Sequence, residues 1–463
     1  MYIEQLYTGC LAEAAYYIES NGEAAIIDPL RETAPYIALA KKRNTKIKYV
    51  FETHFHADFV SGHLDLANKT GATIVFGPTA VTGFKSHIAK DNEEFTIGSI
   101  KLKLLHTPGH TLESSCYLLL DENGKEQAVF TGDTLFVGDV GRPDLAVKSD
   151  LTLNDLAEMM YDSLNRKIKI LPDEVIVYPA HGAGSACGKN IGKETFSTIG
   201  QQKKLNYALQ AMSKEEFINA VTDGLSAPPS YFFMDAMLNK NGYSNIDDVI
   251  TKNTIALEVD KFEKEIENGA SVLDVRDPDT FEKAYIPGSF NIGLNGQYAP
   301  WVGALIDAAI PLVLVSDEGK ETEAVLRLAR VGYENVKGFL KGGIDSWINI
   351  GKTIETMESI TAVDFATRIK KLDECTILDV RKQGEVETGM LEKAQHICLS
   401  NLQKELHTLD QRKPYFVHCA GGYRSMMAAS IMKKEGFSKV TNIKGGMAKI
   451  KEAGLKIVQE QPI

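Results

Sequence analysis

Two sets of residues in this chain could do chemistry. The stretch Thr53-His54-Phe55-His56-Ala57-Asp58-Phe59 puts two imidazoles and a carboxylate within five positions. His110 in Pro108-Gly109-His110-Thr111, Asp133 in Thr131-Gly132-Asp133-Thr134 and His181 in Pro179-Ala180-His181-Gly182 add donors of the same kind. Neutral imidazole nitrogens and carboxylate oxygens are the ligands of a transition-metal site. The second set is Cys419-Ala420-Gly421-Gly422-Tyr423-Arg424. There a thiol opens a glycine-rich loop that closes on an arginine. Backbone N–H groups curled around the sulfur, a following helix start and a guanidinium all favour thiolate, the nucleophilic form.

Strand-like segments precede every one of these residues. Ile47-Lys48-Tyr49-Val50-Phe51 leads to His54, and Ile100-Lys101-Leu102-Lys103-Leu104-Leu105 to His110. Ala128-Val129-Phe130 leads to Asp133, and Val175-Ile176-Val177-Tyr178 to His181. A lone histidine or aspartate after a strand is usually a hydrogen-bonded turn residue. The metal reading rests on the set, which strand ends would gather on one edge of a sheet sandwich. Likewise Tyr415-Phe416-Val417 reads as a buried strand before Cys419, and a helix is expected from Ser425 through Met432.

The second half repeats itself. Val272-Leu273-Asp274-Val275-Arg276 returns 105 residues later as Ile377-Leu378-Asp379-Val380-Arg381, and Lys341-Gly342-Gly343 returns 103 residues later as Lys444-Gly445-Gly446. Short apolar strands alternate with helix-like stretches in each copy, as in a parallel sheet covered by helices. A repeat this long is a domain, not a solenoid turn. The boundaries expected are 1–254, 255–355 and 356–463.

Bulk properties narrow the class. The 463 residues are 44% hydrophobic and 24% charged, ordinary for globular domains. A net charge of −11 argues against a nucleic-acid partner. No apolar run approaches the ~20 residues of a membrane span, so no membrane association is expected. Met1-Tyr2-Ile3-Glu4-Gln5-Leu6 has no basic and apolar leader pattern. Six cysteines without regular spacing make no disulfide framework, and a cytoplasmic location is expected. Cys10, Cys116, Cys375 and Cys398 read as core residues. A homo-oligomer, dimer or tetramer, is expected.

The order and context of the metal candidates resemble the metallo-β-lactamase superfamily, whose dinuclear hydrolases carry H-x-H-x-D-H. Phe59 stands at the last position and cannot ligate. His54, His110 and Asp133 remain, and two histidines with one carboxylate suit non-haem Fe(II), although zinc tolerates the same donors. THFHAD, TPGHT, TGDTLF and PAHGAGSACGK are most similar to the persulfide dioxygenase branch. That resemblance implies one iron per chain on His54, His110 and Asp133. His56, Asp58 and His181 would then orient ligands and water, or form a second metal site.

Cys419–Arg424 resembles the loop of a rhodanese. Its C-x4-R spacing is one residue shorter than the C-x5-R of cysteine phosphatases and fits a single transferred sulfur. Cys419 would carry a persulfide, with Arg424 beside it and Ala420, Gly421, Gly422 and Tyr423 forming the cradle. In the middle copy Asp317 falls at the position of Cys419 and Thr322 at that of Arg424, which implies a non-catalytic homologue, a spacer or docking surface. The expected fold class is therefore α/β: an N-terminal metallo-β-lactamase-like αββα sandwich followed by two rhodanese-like parallel α/β domains. The implied function is oxidation of a low-molecular-weight thiol persulfide by O2 to sulfite and thiol. This would be coupled to sulfur transfer between persulfide, sulfite and thiosulfate through Cys419, in either direction. Alternatives are a glyoxalase II-like zinc thioester hydrolase and a persulfide carrier or sensor. Arg142 could bind an anionic substrate group or pair with Asp139 or Asp144. Cys187 could relay sulfur or contact a thiol substrate, or be packing.

Overall fold

Period-two alternation explains the first half of the chain. Along the strand Ser115–Leu120, Tyr117 and Leu119 face one cluster of buried side chains while Cys116, Leu118 and Leu120 face another, so both faces of its sheet are covered. The computed structural model describes residues 1–146, 151–225, 227–371 and 375–459. They form two compact units, one of Met1–Val249 with Leu328–Gly332 and one of the rest.

In the first unit, two six-stranded sheets lie face to face. One runs in chain order through Tyr2–Thr8, Glu13–Ser20, Glu23–Ile27, Lys46–Phe51, Thr73–Phe76 and His87–Ile88. The other runs in reverse chain order from Ser197–Thr198 through Ile176–Pro179, Glu126–Gly132, Ser115–Leu120 and Ile100–His106 to Glu94–Ile97. Tyr16, Phe51, Tyr117, Leu119 and Phe130 fill the space between them. Helix Ala34–Lys42 covers the outer face of the first sheet through Tyr36 and Ala40. Helices Leu153–Ser163 and Lys214–Thr222 cover the second through Ala157, Met160, Phe217 and Val221. This is the expected αββα sandwich.

The second unit holds both repeats, each with a five-stranded parallel sheet. The first is built from Ala256–Leu257, Ser271–Asp274, Phe290–Asn291, Leu312–Val315 and Val336–Leu340, the second from Glu358–Ile360, Thr376–Asp379, Ala394–His396, Tyr415–His418 and Val440–Ile443. Numbered within each repeat, both have the strand order 1-5-4-2-3. The shared Asp-Val-Arg is a buried fork. Arg276 Nε and Nη2 lie 2.9 and 2.5 Å from Asp274, and the same atoms of Arg381 lie 2.9 and 2.6 Å from Asp379. A bidentate pair satisfies both buried charges at the end of the second strand.

Cys116 is buried as expected. Cys10, Cys375 and Cys398 are only part-buried, because they stand just outside strands or at a helix start, where one side of the backbone meets solvent.

Candidate functional site

Strand ends deliver the metal candidates. His54 lies three residues past Lys46–Phe51, Asp133 directly past Glu126–Gly132, and His110 four residues past Ile100–His106. One donor atom from each lies within 4.8 Å of the other two, and all three residues are buried. His110 Nε2 is 3.4 Å and His54 Nε2 3.8 Å from Asp133 Oδ2. Among the described residues, none of these three atoms has a hydrogen-bond partner. Buried polar atoms left unsatisfied are costly, and three aimed at one point fit a bound cation.

The surrounding bonds fix which atoms face that point. His110 Nδ1 donates to the Arg142 carbonyl at 2.8 Å. Thr53 Oγ1 donates to Asp28 Oδ2 at 2.8 Å and therefore accepts from His54 Nδ1 at 3.0 Å. Both rings thus present an Nε2 lone pair, the tautomer a metal needs. Asp133 Oδ1 accepts from His181 Nδ1 at 2.7 Å, which leaves Oδ2 for the cation.

Electrostatics agree with that arrangement. Burial, and then neighbouring His56, hold His54 well below the usual histidine range, so its ring is neutral, the form a metal would need. Burial alone would raise Asp133, but His181, then His54 and His110, hold it well below the usual carboxylate range. Burial also opposes charge on His181. Asp133 and Asp58 outweigh it and raise His181 well above the ordinary range; its Nε2 lies 2.8 Å from Asp58 Oδ2.

Around the triad, the other residues singled out from sequence have separate places. Asp58, His181 and Cys187 form a second buried donor group, and Asp28, Glu52 and His56 a third. His56 Nε2 lies 3.1 Å from Asp28 Oδ1 and 3.7 Å from Glu52 Oε2. Phe59 is fully buried, with its ring 4.3 Å from that of His56. Burial, then Asp58 and Asp133, push the Cys187 thiol well above its ordinary range. Arg142 is forked onto Asp144 by two 2.6 Å bonds, so the ion-pair reading of this buried side chain is the one observed. Sequence reasoning missed Asp28 and Glu52. Both follow apolar strands, Glu23–Ile27 and Lys46–Phe51, and so carry the signal that marked His54 and Asp133.

Cys419 follows the buried strand Tyr415–His418, which is flanked on both sides in the last sheet. The Gly422 N–H donates to its sulfur at 3.1 Å. Ser425 Oγ lies 3.6 Å from the sulfur and donates to Asn442 Oδ1 at 2.7 Å. The Cys419 carbonyl accepts from Met447 N at 2.7 Å. A Cβ on Gly446 would fall 2.3 Å from that carbonyl oxygen, which explains the glycine after Gly445. The helix spans Tyr423–Lys434 and begins two residues before the expected Ser425. Arg424 is forked onto Glu385 at 2.6 and 2.7 Å, a partner that sequence reasoning missed. In the middle repeat the register corrects the expected match: Asp274 pairs with Val315 as Asp379 pairs with His418, so buried Ser316, not Asp317, stands at the position of Cys419, and Asp317 is the exposed residue after it.

Known proteins resemble both halves. The metallo-beta-lactamase superfamily model matches residues 8–181 and the rhodanese-like domain model matches 258–350 and 361–453. A probable hydroxyacylglutathione hydrolase of Schizosaccharomyces pombe is 33% identical over 38% of this chain and 66% of its own length, so the alignment spans just under two thirds of that protein. The mitochondrial persulfide dioxygenase ETHE1 of Bos taurus is 32% identical over 44% of this chain and 73% of its own length. A crystal structure of a metallo-beta-lactamase from Staphylococcus aureus is 31% identical with a TM-score of 0.65, covering 74% of this chain and 98% of that one. The chain belongs to the metallo-β-lactamase superfamily, as a fusion in which the sandwich domain is followed by two rhodanese-like domains.

Proposed function

We propose that this protein is a persulfide dioxygenase joined to a sulfurtransferase. The observation that carries the first half is the orphaned triad of His54 Nε2, His110 Nε2 and Asp133 Oδ2, with Phe59 where the dinuclear pattern has histidine. Two imidazoles and one carboxylate with open positions suit Fe(II). When bound, iron would supply O2 activation beside the sulfur to be oxidised. The chain's own part is to hold the donors. Thr53 and the Arg142 carbonyl set the two tautomers, and His181 pins Asp133. The reaction is RSSH + O2 + H2O → RSH + sulfite + two protons. At Cys419 the thiolate takes the outer sulfur of a second persulfide and releases RSH. Sulfite then attacks that sulfur, leaving as thiosulfate and restoring the thiol.

Hydrolysis at two metals is a second reading, favoured by one observation. Cys187 gives Asp58 and His181 a third donor where Phe59 removed one. Metal analysis after anaerobic purification, with oxygen-electrode traces on glutathione persulfide, separates the two. One iron per chain and oxygen uptake, both lost in Asp133→Ala, are expected. Two zinc ions per chain, thioester hydrolysis and no oxygen uptake would overturn the proposal.

A further inference from the structure

The middle repeat lacks the thiol, yet it touches the nucleophile's loop. Tyr423 belongs to the Cys419–Arg424 loop and is the first residue of its helix. Its hydroxyl donates to the Gly293 carbonyl of the middle repeat at 2.6 Å. Its ring lies so close to Gly296 that a Cβ there would fall 2.6 Å from Cζ and 2.8 Å from Cε1. The seat is itself braced. Arg327, nearly buried, donates through Nη1 to the Leu294 carbonyl at 2.6 Å and through Nη2 to the Gly296 carbonyl at 2.8 Å. Asn295 is tied to Asp277 at 2.8 Å.

Further contacts run along the same helix. The edge strand Phe290–Asn291 donates from Asn291 N to Ser430 Oγ at 3.0 Å. Lys434 Nζ donates to the Gly288 carbonyl at 3.1 Å and lies 4.6 Å above the Phe290 ring. The loop's own bond from Gly422 N–H to sulfur sits one residue before Tyr423, so moving that side chain moves the groups around the sulfur.

We propose that the middle repeat is a positioning element for sulfur transfer: its Gly293–Gly296 turn seats Tyr423 and thereby holds the Cys419 loop in its loading geometry. This rests on the reading of Cys419 as the sulfur acceptor. In the step concerned, the Cys419 thiolate attacks the outer sulfur of thiosulfate. A sulfur–sulfur bond to Cys419 forms, the bond to the sulfonate sulfur breaks, and sulfite leaves with the electron pair. Tyr423 and Gly296 touch neither sulfur.

The test uses full-length protein mixed rapidly with thiosulfate, reading the sulfite burst and the extra sulfur on Cys419 by intact mass. Tyr423→Phe keeps the ring and loses the anchor, and should load about fivefold more slowly at saturating thiosulfate, the worth of one ordinary hydrogen bond. Its half-saturation concentration should stay within about twofold, because the loop is misplaced and not emptied of binding groups. Gly296→Ala and Tyr423→Leu should each slow loading, and the double variant should be no slower than the slower single, since both break one contact. Oxygen uptake should remain at the wild-type value in each folded variant. Loading unchanged in Tyr423→Phe and Gly296→Ala, or a double variant slowed by the product of the singles, would overturn the proposal. If Gly296→Ala does not fold, Tyr423→Phe and Tyr423→Leu decide alone. Burst and mass shift surviving in Cys419→Ser would instead refute the reading of Cys419.

Discussion

Thr53→Val isolates one bond behind the metal triad. Valine matches threonine in shape, so the change removes a hydroxyl and little else. That hydroxyl accepts from His54 Nδ1 at 3.0 Å and donates to Asp28 Oδ2 at 2.8 Å. Asp28 keeps the Thr53 N–H on Oδ1 at 2.8 Å and has His56 Nε2 at 3.1 Å, so its loss is confined to Oδ2. His54 Nδ1 loses the one hydrogen bond found for it among the described residues and the ring becomes free to change tautomer. Removing an orienting partner of a ligating histidine typically costs about 10- to 100-fold in metal affinity. Fe(II) binding to the variant should therefore weaken by about 1.4–2.8 kcal/mol. The metal-free fold should lose about 1–3 kcal/mol, the penalty for a buried polar atom left without a partner. Anaerobic competition with a coloured chelator measures the first and urea unfolding the second. Thr53→Ser, which retains the hydroxyl, should bind as wild type does. Affinity within a factor of about two of wild type in a folded Thr53→Val would refute the reasoning, because a loss of about tenfold or more could not be hidden at that precision.

Three further outcomes are expected. Cys419→Ser should keep oxygen uptake on a small persulfide while the product changes from thiosulfate to sulfite, measured by chromatography of both anions; undiminished enzyme-dependent thiosulfate would exclude Cys419 as the carrier. Asp317→Ala should leave thiosulfate–persulfide exchange at the wild-type rate, since that exposed side chain lies outside the Cys419 loop; a large loss in a folded variant would give the middle loop a chemical role. Burial, then His56, hold His63 down at about 3 from an ordinary value of 6.5. The unfolded chain therefore binds this proton first as pH falls, and stability should drop below pH 6.5 by about 1.4 kcal/mol per pH unit. The slope from urea unfolding should be shallower in His63→Phe; an identical slope would remove His63 from the account.

How far the sequence speaks depends on the range of the interaction. Residues after apolar strands were legible because alternation sets the strand and the strand sets where its end points. That logic found His54, His110, Asp133 and His181, and the repeat of Asp-Val-Arg exposed two copies of one sheet. It stops where partners meet through tertiary folding alone. Nothing near Arg424 marks Glu385, 39 residues away, as its counter-ion. Nothing near Tyr423 marks Gly293, 130 residues away, as its acceptor. Cys187 lies in a glycine-rich loop that has no period to read, so its meeting with Asp58 and His181 emerges only in three dimensions.

The two histidines of the candidate metal triad are oriented by different kinds of atom, and this gives them unequal exposure to genetic change. His54 depends on a side-chain hydroxyl, so most single-codon changes at position 53 would erase its partner. His110 depends on the main-chain oxygen of residue 142, which every amino acid supplies. The same residue's N–H donates to the Cys187 carbonyl, and only proline would remove that. In a saturation scan read out by metal retention, position 53 should therefore accept serine and little more. Position 142 should be judged by whether the fold survives losing the fork to Asp144, and its survivors should still hold His110 in the ligating tautomer.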